Sequence, residues 1–218
     1  MPRESRATRR ERLAEILRRL AELYPESRCS LDYRSPFQLL VATVLSAQCT
    51  DAAVNRATPA LFARYPDPAA LAAAPVEEVA NTIRSVNFYR TKARSLVGLA
   101  GALLERHGGE VPREMEALVA LPGVGRKTAN VVRGVAWGLS DGVVVDTHVK
   151  RIAALLGLTR EADPERVEGD LLLLLAPEAR VVFTHRIIDH GRAVCVARRP
   201  RCAECTLAEL CPAARAAA

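Results

Sequence analysis

Leu121-Pro122-Gly123-Val124-Gly125-Arg126-Lys127-Thr128-Ala129 lies between two stretches of helical periodicity. Pro122 stops the first stretch, 114–120, because proline cannot continue a helix. Gly123 and Gly125 read as positions of positive φ and close backbone approach. The second helix, 126–137, begins at once, and Gly138 closes it. Its free N–H groups and positive dipole end point out of the hairpin, an arrangement suited to a DNA phosphate. A plain turn between helices is the competing reading, since Gly-x-Gly alone is a weak signal. The residue after Arg126 weighs against it. Of 31 basic residues only Lys92, Lys127 and Lys150 are lysine. The chain uses arginine for surface charge, so its lysines are less expected to be decoration.

The same periodicity runs through most of the chain. Helices are predicted over 37–47, over 50–65 with Pro66 and Pro68 as its stop, and over 76–86 behind Pro75. Others are predicted over 93–107, closed by Gly108-Gly109, and over 147–156, 164–175 and 181–191. Val143-Val144-Val145 is the one β-branched run, too short to require a sheet. The fold class is therefore all-α, with short connections, no long repeat and no compositional linker. The arginine-rich start, 2–20, carries Leu13, Ile16, Leu17 and Leu20 at helical spacing. Glu4, Glu11 and Glu15 are interspersed and no apolar run follows Arg9-Arg10, so no targeting signal is expected.

Composition sets the outer limits. The chain has 218 residues, 50% hydrophobic and 26% charged. That balance excludes a disordered or collagen-like chain and allows one or two domains. The longest nearly apolar stretch, 37–47, falls well short of the ~18 residues of a membrane span. A net charge of +6 and a pI of about 9.3 suggest a polyanionic partner, usually nucleic acid.

Cys195, Cys202, Cys205 and Cys211 are spaced Cys-x6-Cys-x2-Cys-x5-Cys. Two disulfides are disfavoured, since nothing marks the chain as secreted. Structural zinc usually takes two short-spaced pairs, and only Cys202 and Cys205 form one. The spacing favours a [4Fe–4S] cluster, stiffening a loop whose Arg198, Arg199 and Arg201 face phosphates. Cys29 and Cys49 read as small buried hydrophobes.

Taken together, these segments resemble the endonuclease III family of DNA repair glycosylases. Residues 121–132 are similar to its helix–hairpin–helix. Leu45-Ser46-Ala47-Gln48-Cys49-Thr50-Asp51 resembles the motif near its lesion pocket. Val145-Asp146-Thr147-His148 looks like its catalytic aspartate segment, and the cysteine spacing resembles its iron–sulfur loop. The matches occur in the family's order and span about 13–211. The resemblance implies two helical lobes with a DNA cleft between them. One is a six-helix barrel, 29–139, with the helix–hairpin–helix at about 114–137. The other is a discontinuous iron–sulfur lobe, 1–28 plus 140–218.

The resemblance also implies a bifunctional glycosylase and AP lyase. Its partner is double-stranded DNA with a damaged base or abasic site, and oxidised pyrimidines are the expected lesions. Lys127 matches the nucleophile. An amine attacks the sugar C1′ only when neutral. The first turn of a helix, beside Arg126, disfavours the ammonium form. A phosphate-binding lysine is the alternative. Asp146 matches the catalytic carboxylate, and an N-cap role is both its alternative and compatible with catalysis. Gln48 and Phe88 match the residues that fill the hole left by the flipped base, unless Phe88 is a core aromatic. The 87–90 loop departs from the family. Asn87 stands where glycine is common, and Phe88 where smaller aliphatics occur. Asparagine tolerates positive φ, so the turn is expected to survive. Cys49 stands in place of alanine. His148 reads as packed or capping, His185 and His190 as structural, and Asp51 as a pocket residue or a cap. The expected protein is a bacterial-type monomer, cytoplasmic and nucleoid-associated. Rival readings are a monofunctional mismatch glycosylase, which lacks the lysine, and a non-catalytic helix–hairpin–helix binding module.

Overall fold

A computed structural model describes residues 4–217. Pro2 and Arg3, within the expected first helix, lie outside the described residues. Within them every regular element is helical, as the sequence predicts, and no strand occurs. The elements are α1 (Arg6–Leu23), α2 (Pro36–Ser46), α3 (Asp51–Arg64), α4 (Pro68–Ala72), α5 (Val76–Thr82) and α6 (Tyr89–His107). They continue with α7 (Met115–Val119), α8 (Arg126–Trp137), α9 (Thr147–Leu155), α10 (Pro164–Leu172), α11 (Pro177–Ala193) and α12 (Pro212–Ala217). Two 3-10 turns, Cys202–Glu204 and Ala208–Leu210, precede α12. No helix of the described residues is long and apolar enough to cross a membrane.

The chain divides into two compact units, Ser30–Leu139 and Met1–Cys29 with Ser140–Ala218. In the first, α2 packs against α3, α6 and α8. Eight of its 11 residues are buried, including Phe37, Leu39, Leu40, Val41 and Leu45. This explains why it reads as an apolar run rather than an amphipathic stripe. Ser35 caps its start by accepting from Gln38 N, and Pro36 occupies the first turn. Pro68 opens α4 behind the Asp67 cap, rather than only stopping α3. Read from sequence as a breaker, this proline is also a starter.

The second unit joins α1 to α9–α12 around Leu13, Ile16, Leu20, Ile152, Val167, Leu171, Phe183 and Ile187, all buried. Three α1 arginines tie the unit's distant segments by donating to main-chain carbonyls. Arg12 reaches Leu156 O at 2.6 Å and Leu210 O at 3.0 Å. Arg10 reaches Leu173 O at 2.6 Å, and Arg19 reaches Thr206 O at 2.6 Å. Part of the basic excess thus binds the protein itself rather than an external anion. α11 starts at Pro177, four residues before the expected 181, again with proline in the first turn.

α9 and α11 approach closely at Gly191. A Cβ there would lie 2.6 Å from His148 Nδ1 and 2.9 Å from Ile152 Cδ1. Gly191→Ala is expected to cost about 1–3 kcal/mol by overpacking. Thermal melts should show a Tm lowered by roughly 2–10 °C. An unchanged Tm would show that the contact relaxes freely.

Candidate functional site

The hairpin between α7 and α8 is held against α6. Gly123 has φ +78°, and a Cβ on it would sit 2.9 Å from Ser95 Cβ. It therefore needs glycine for both conformation and space. Gly125 is different from expectation. Its φ is −91° with ψ 170°, extended backbone open to any residue, and a Cβ there would meet nothing within 4 Å. It serves as the N-cap of α8 and supplies no side-chain cap bond. The first intrahelical bond, Ala129 N to Gly125 O at 3.0 Å, leaves the N–H groups ahead of it outside the α8 ladder. Arg126 and Lys127 are exposed in this turn.

Asp146 belongs to the other unit. It is the N-cap of α9, with Oδ1 accepting from Val149 N at 2.8 Å. Its side chain is half-buried. His148 Nδ1 is buried with no hydrogen-bond partner among the described residues. Asp51 sits in the first turn of α3 behind its Thr50 cap.

Gln48 and Phe88 are the non-glycine residues with positive φ among those described, at 53° and 58°. Both are exposed, Phe88 by 63%, so it is not a core aromatic. The left-handed position falls on Phe88, not on Asn87 as the sequence suggested. Asn87 instead donates from Nδ2 to Gln48 O at 2.8 Å. Lys92 is buried, and its Nζ donates to Leu45 O at 2.8 Å and Ala47 O at 2.7 Å. Burial pushes its pKa down. Sequence reasoning flags Lys92 only through the scarcity of lysine and assigns it nothing. Cys29 and Cys49 are half-buried, not buried as expected.

Cys195, Cys202, Cys205 and Cys211 are unpaired thiols that line one cavity of about 170 Å³ with Ile152, Leu155, His190 and Leu207. No three of the described metal-binding side chains converge on a single ion position. A mononuclear zinc site needs four sulfurs at about 2.3 Å from one point. Sulfurs ringing a cavity instead fit a larger centre. Burial also pushes the Cys195 and Cys205 thiols up. Four cysteine sulfurs around one cavity fit an iron–sulfur cluster. Arg151 Nη1 lies 3.5 Å from Cys195 Sγ. His190, read from sequence only as structural, places Nε2 3.7 Å from Cys205 Sγ and Nδ1 3.2 Å from Tyr24 Oη. Arg198 and Arg199 are exposed. Arg201 is exposed too, but it donates to Ala193 O and pairs with Glu204 at 3.7 Å. It is less free for phosphate than the sequence implied.

Comparison with known proteins identifies the family. Residues 41–177 match the profile of the HhH-GPD superfamily of base excision DNA repair proteins. Residues 195–211 match the iron–sulfur binding domain of endonuclease III. Endonuclease III of Synechocystis sp. is 54% identical over 210 residues, 96% of each chain. The chain belongs to the endonuclease III family. Endonuclease III of Escherichia coli K12 is 44% identical, covering 90% of this chain and 93% of its own. The solved structure of a trapped endonuclease III–DNA covalent intermediate matches with TM-score 0.88 and 42% identity, over 95% of this chain and 98% of that one. As a family member the chain is a base excision repair enzyme, a DNA glycosylase with AP lyase activity. Its cofactor is a [4Fe–4S] cluster.

Two outcomes test these local readings. Lys92→Met leaves the Leu45 and Ala47 carbonyls unpaired and is expected to cost about 2 kcal/mol. A urea titration should show a lower midpoint at an unchanged m-value. Cys211→Ser should lose the visible absorbance and iron of the purified protein and open residues 195–211 to proteolysis. Retained iron and protection would exclude Cys211 as a ligand.

Proposed function

We propose that the chain removes damaged bases, oxidised pyrimidines foremost, from duplex DNA through a Schiff base on Lys127. The observation that carries this reading is the placement of Lys127. It stands exposed beside Gly125 in the first turn of α8, a turn without a side-chain cap. Lys92, by contrast, is buried and committed to two carbonyls. A related enzyme has been trapped covalently on DNA.

In this reading the Lys127 amine attacks C1′, the N-glycosidic bond breaks, and its electron pair leaves with the base. The departing base takes up a proton. The attacking nitrogen loses one proton, and its lone pair then opens the sugar ring by breaking C1′–O4′, with O4′ taking up a proton, to give an iminium. That cation acidifies the C2′ proton, whose removal expels the 3′ phosphate by β-elimination. Water then releases Lys127. The half-buried Asp146 carboxylate stabilises positive charge building on the sugar and accepts the amine proton. Gly123 and Gly125 present the free N–H groups of α8 to a backbone phosphate, with Arg126, Arg198 and Arg199 adding charge. Arg201 contributes less. Gln48 hydrogen-bonds the orphaned base and Phe88 wedges into the stack. The iron–sulfur loop is held by Cys195, Cys202, Cys205 and Cys211 and supports the arginines. The chain acts as a monomer in the cytoplasm, with the nucleoid.

Borohydride trapping tests the nucleophile. Wild-type protein mixed with a duplex carrying thymine glycol, or with one carrying an abasic site, should give a covalent band. Lys127→Ala should give none while still binding. A Lys127→Ala band of wild-type intensity would remove Lys127 from this role. Asp146→Asn separates capping from catalysis, since asparagine caps a helix as well as aspartate. It should melt like the wild type yet lose roughly 10²–10⁴-fold in base release. Wild-type turnover in that variant would leave Asp146 a cap alone.

A further inference from the structure

Gln48 and Phe88 lie on separate loops, each in a left-handed conformation that side chains rarely adopt. One helix start holds both. Phe88 is the N-cap of α6, and its carbonyl accepts from Lys92 N at 3.0 Å. Lys92 Nζ holds Ala47 O at 2.7 Å, and Asn87 Nδ2 holds Gln48 O at 2.8 Å. Those two carbonyls belong to the two peptide planes that flank the Gln48 Cα. Fixing the first plane sets φ of Gln48, and fixing the second sets ψ. Cys49 N, donating to Ser46 O at 3.0 Å, closes the same turn. The Gln48 side chain takes no part in this arrangement and stays exposed.

We infer that Asn87 and Lys92 form a clamp that fixes the Gln48 backbone relative to Phe88, and that Asn87 is thereby a positioning residue for recognition of the base opposite the lesion. The inference rests on the roles proposed above for Gln48 and Phe88. Its physical content is preorganisation. An amide that reads an orphaned base discriminates only if its backbone cannot swing to suit each base. Lys92 pins one plane from a buried position, and Asn87 pins the other from the surface. Losing Asn87 therefore frees ψ of Gln48 without disturbing the core. A neutral, exposed hydrogen bond contributes modestly, so the expected effect is roughly threefold to tenfold rather than total.

The probe is a duplex containing a tetrahydrofuran abasic-site analogue opposite A, G, C or T. Dissociation constants on the four duplexes give an opposite-base spread, expected to be about tenfold for the wild type. Asn87→Ala and the isosteric Asn87→Asp should both compress it at least threefold. The ratio cancels any uniform effect of the added charge. In borohydride trapping on an aldehydic abasic site, the loss should appear in the half-saturating DNA concentration rather than the maximal rate. Gln48→Ala should compress the spread as well, and the double variant no further. A compressed spread in Gln48→Ala with an intact one in both Asn87 variants would overturn the clamp and leave the role of Gln48 standing. An intact spread in Asn87→Asp alone would assign the effect to packing and also overturn it. An unaltered spread in Gln48→Ala would sink the role of Gln48 and the clamp with it.

Discussion

Among the described residues, one buried ammonium, that of Lys92, meets the end of α2, the helix with the largest share of its residues buried. Near the end of α2, Thr43 O takes Ser46 Oγ and Val44 O takes Ala47 N, but Leu45 O has no donor from its own helix, and a helix buried along most of its length cannot simply turn it to water. Lys92 resolves this from α6, donating to Leu45 O and Ala47 O at 2.8 and 2.7 Å. The cation also lies at the negative end of the α2 dipole. Burial penalises the charge, and two charge-assisted hydrogen bonds offset that penalty. A compact ammonium on a flexible stem can meet two carbonyls at one point, where a planar guanidinium is bulkier. The turn that carries Gln48 starts where this ammonium ends α2, so the surface geometry of that loop is set from inside.

The unit containing the cysteines solves a different problem with arginine. Its chain enters as α1, leaves after Cys29, and returns at Ser140. Apolar packing of Leu13, Ile16 and Leu20 supplies the attraction. Packing alone leaves the axial position of a helix loosely specified. Arg10, Arg12 and Arg19 specify it, each donating to a carbonyl contributed from beyond residue 150. Glu4 in turn fixes the Arg12 guanidinium, and Glu15 that of Arg19. The high arginine content is thus divided between internal ties and exposed charge. Net charge by itself could not separate the two.

Much of this was legible in the sequence. Helical periodicity, with Gly138 as a stop, located α2, α8 and α9 to within a residue or two. The hairpin was legible because Pro122 and Gly123 are demanding residues that suit few local structures besides a tight turn. Side-chain errands across the chain were not. Lys92 reaching back 45 residues to Ala47, or Asn87 reaching Gln48, leaves no periodic trace. The left-handed residue was placed on Asn87 by its propensity, while tertiary contacts put it on Phe88. Pro68 was ambiguous for a physical reason, since the same ring ends one helix and suits the first turn of the next. His190 looked structural because its cysteine neighbour, Cys205, becomes one only after the loop folds back.

The departures from local preference are themselves ordered. Ser5, Ser35, Thr50, Asp67, Asp146 and Asp163 each cap a helix with a side chain. Helices α5, α7 and α11 lack such a cap, but each carries glutamate in its first turn to meet the positive dipole end. α6 and α8 have neither a capping side chain nor an acid there. A missing cap forgoes about 1 kcal/mol. The left-handed Gln48 and Phe88 cost roughly 1–3 kcal/mol apiece. The two left-handed residues and the starts of α6 and α8 fall in one unit, at exposed turns that carry Gln48, Phe88 and Lys127. Concentrated stability losses at exposed positions are the expected mark of surface held ready for a ligand, whose own groups complete what the fold leaves open. For α8 the unfilled partner is an acceptor of N–H groups beside a lysine, and in the function proposed for this chain a DNA phosphate would fill it.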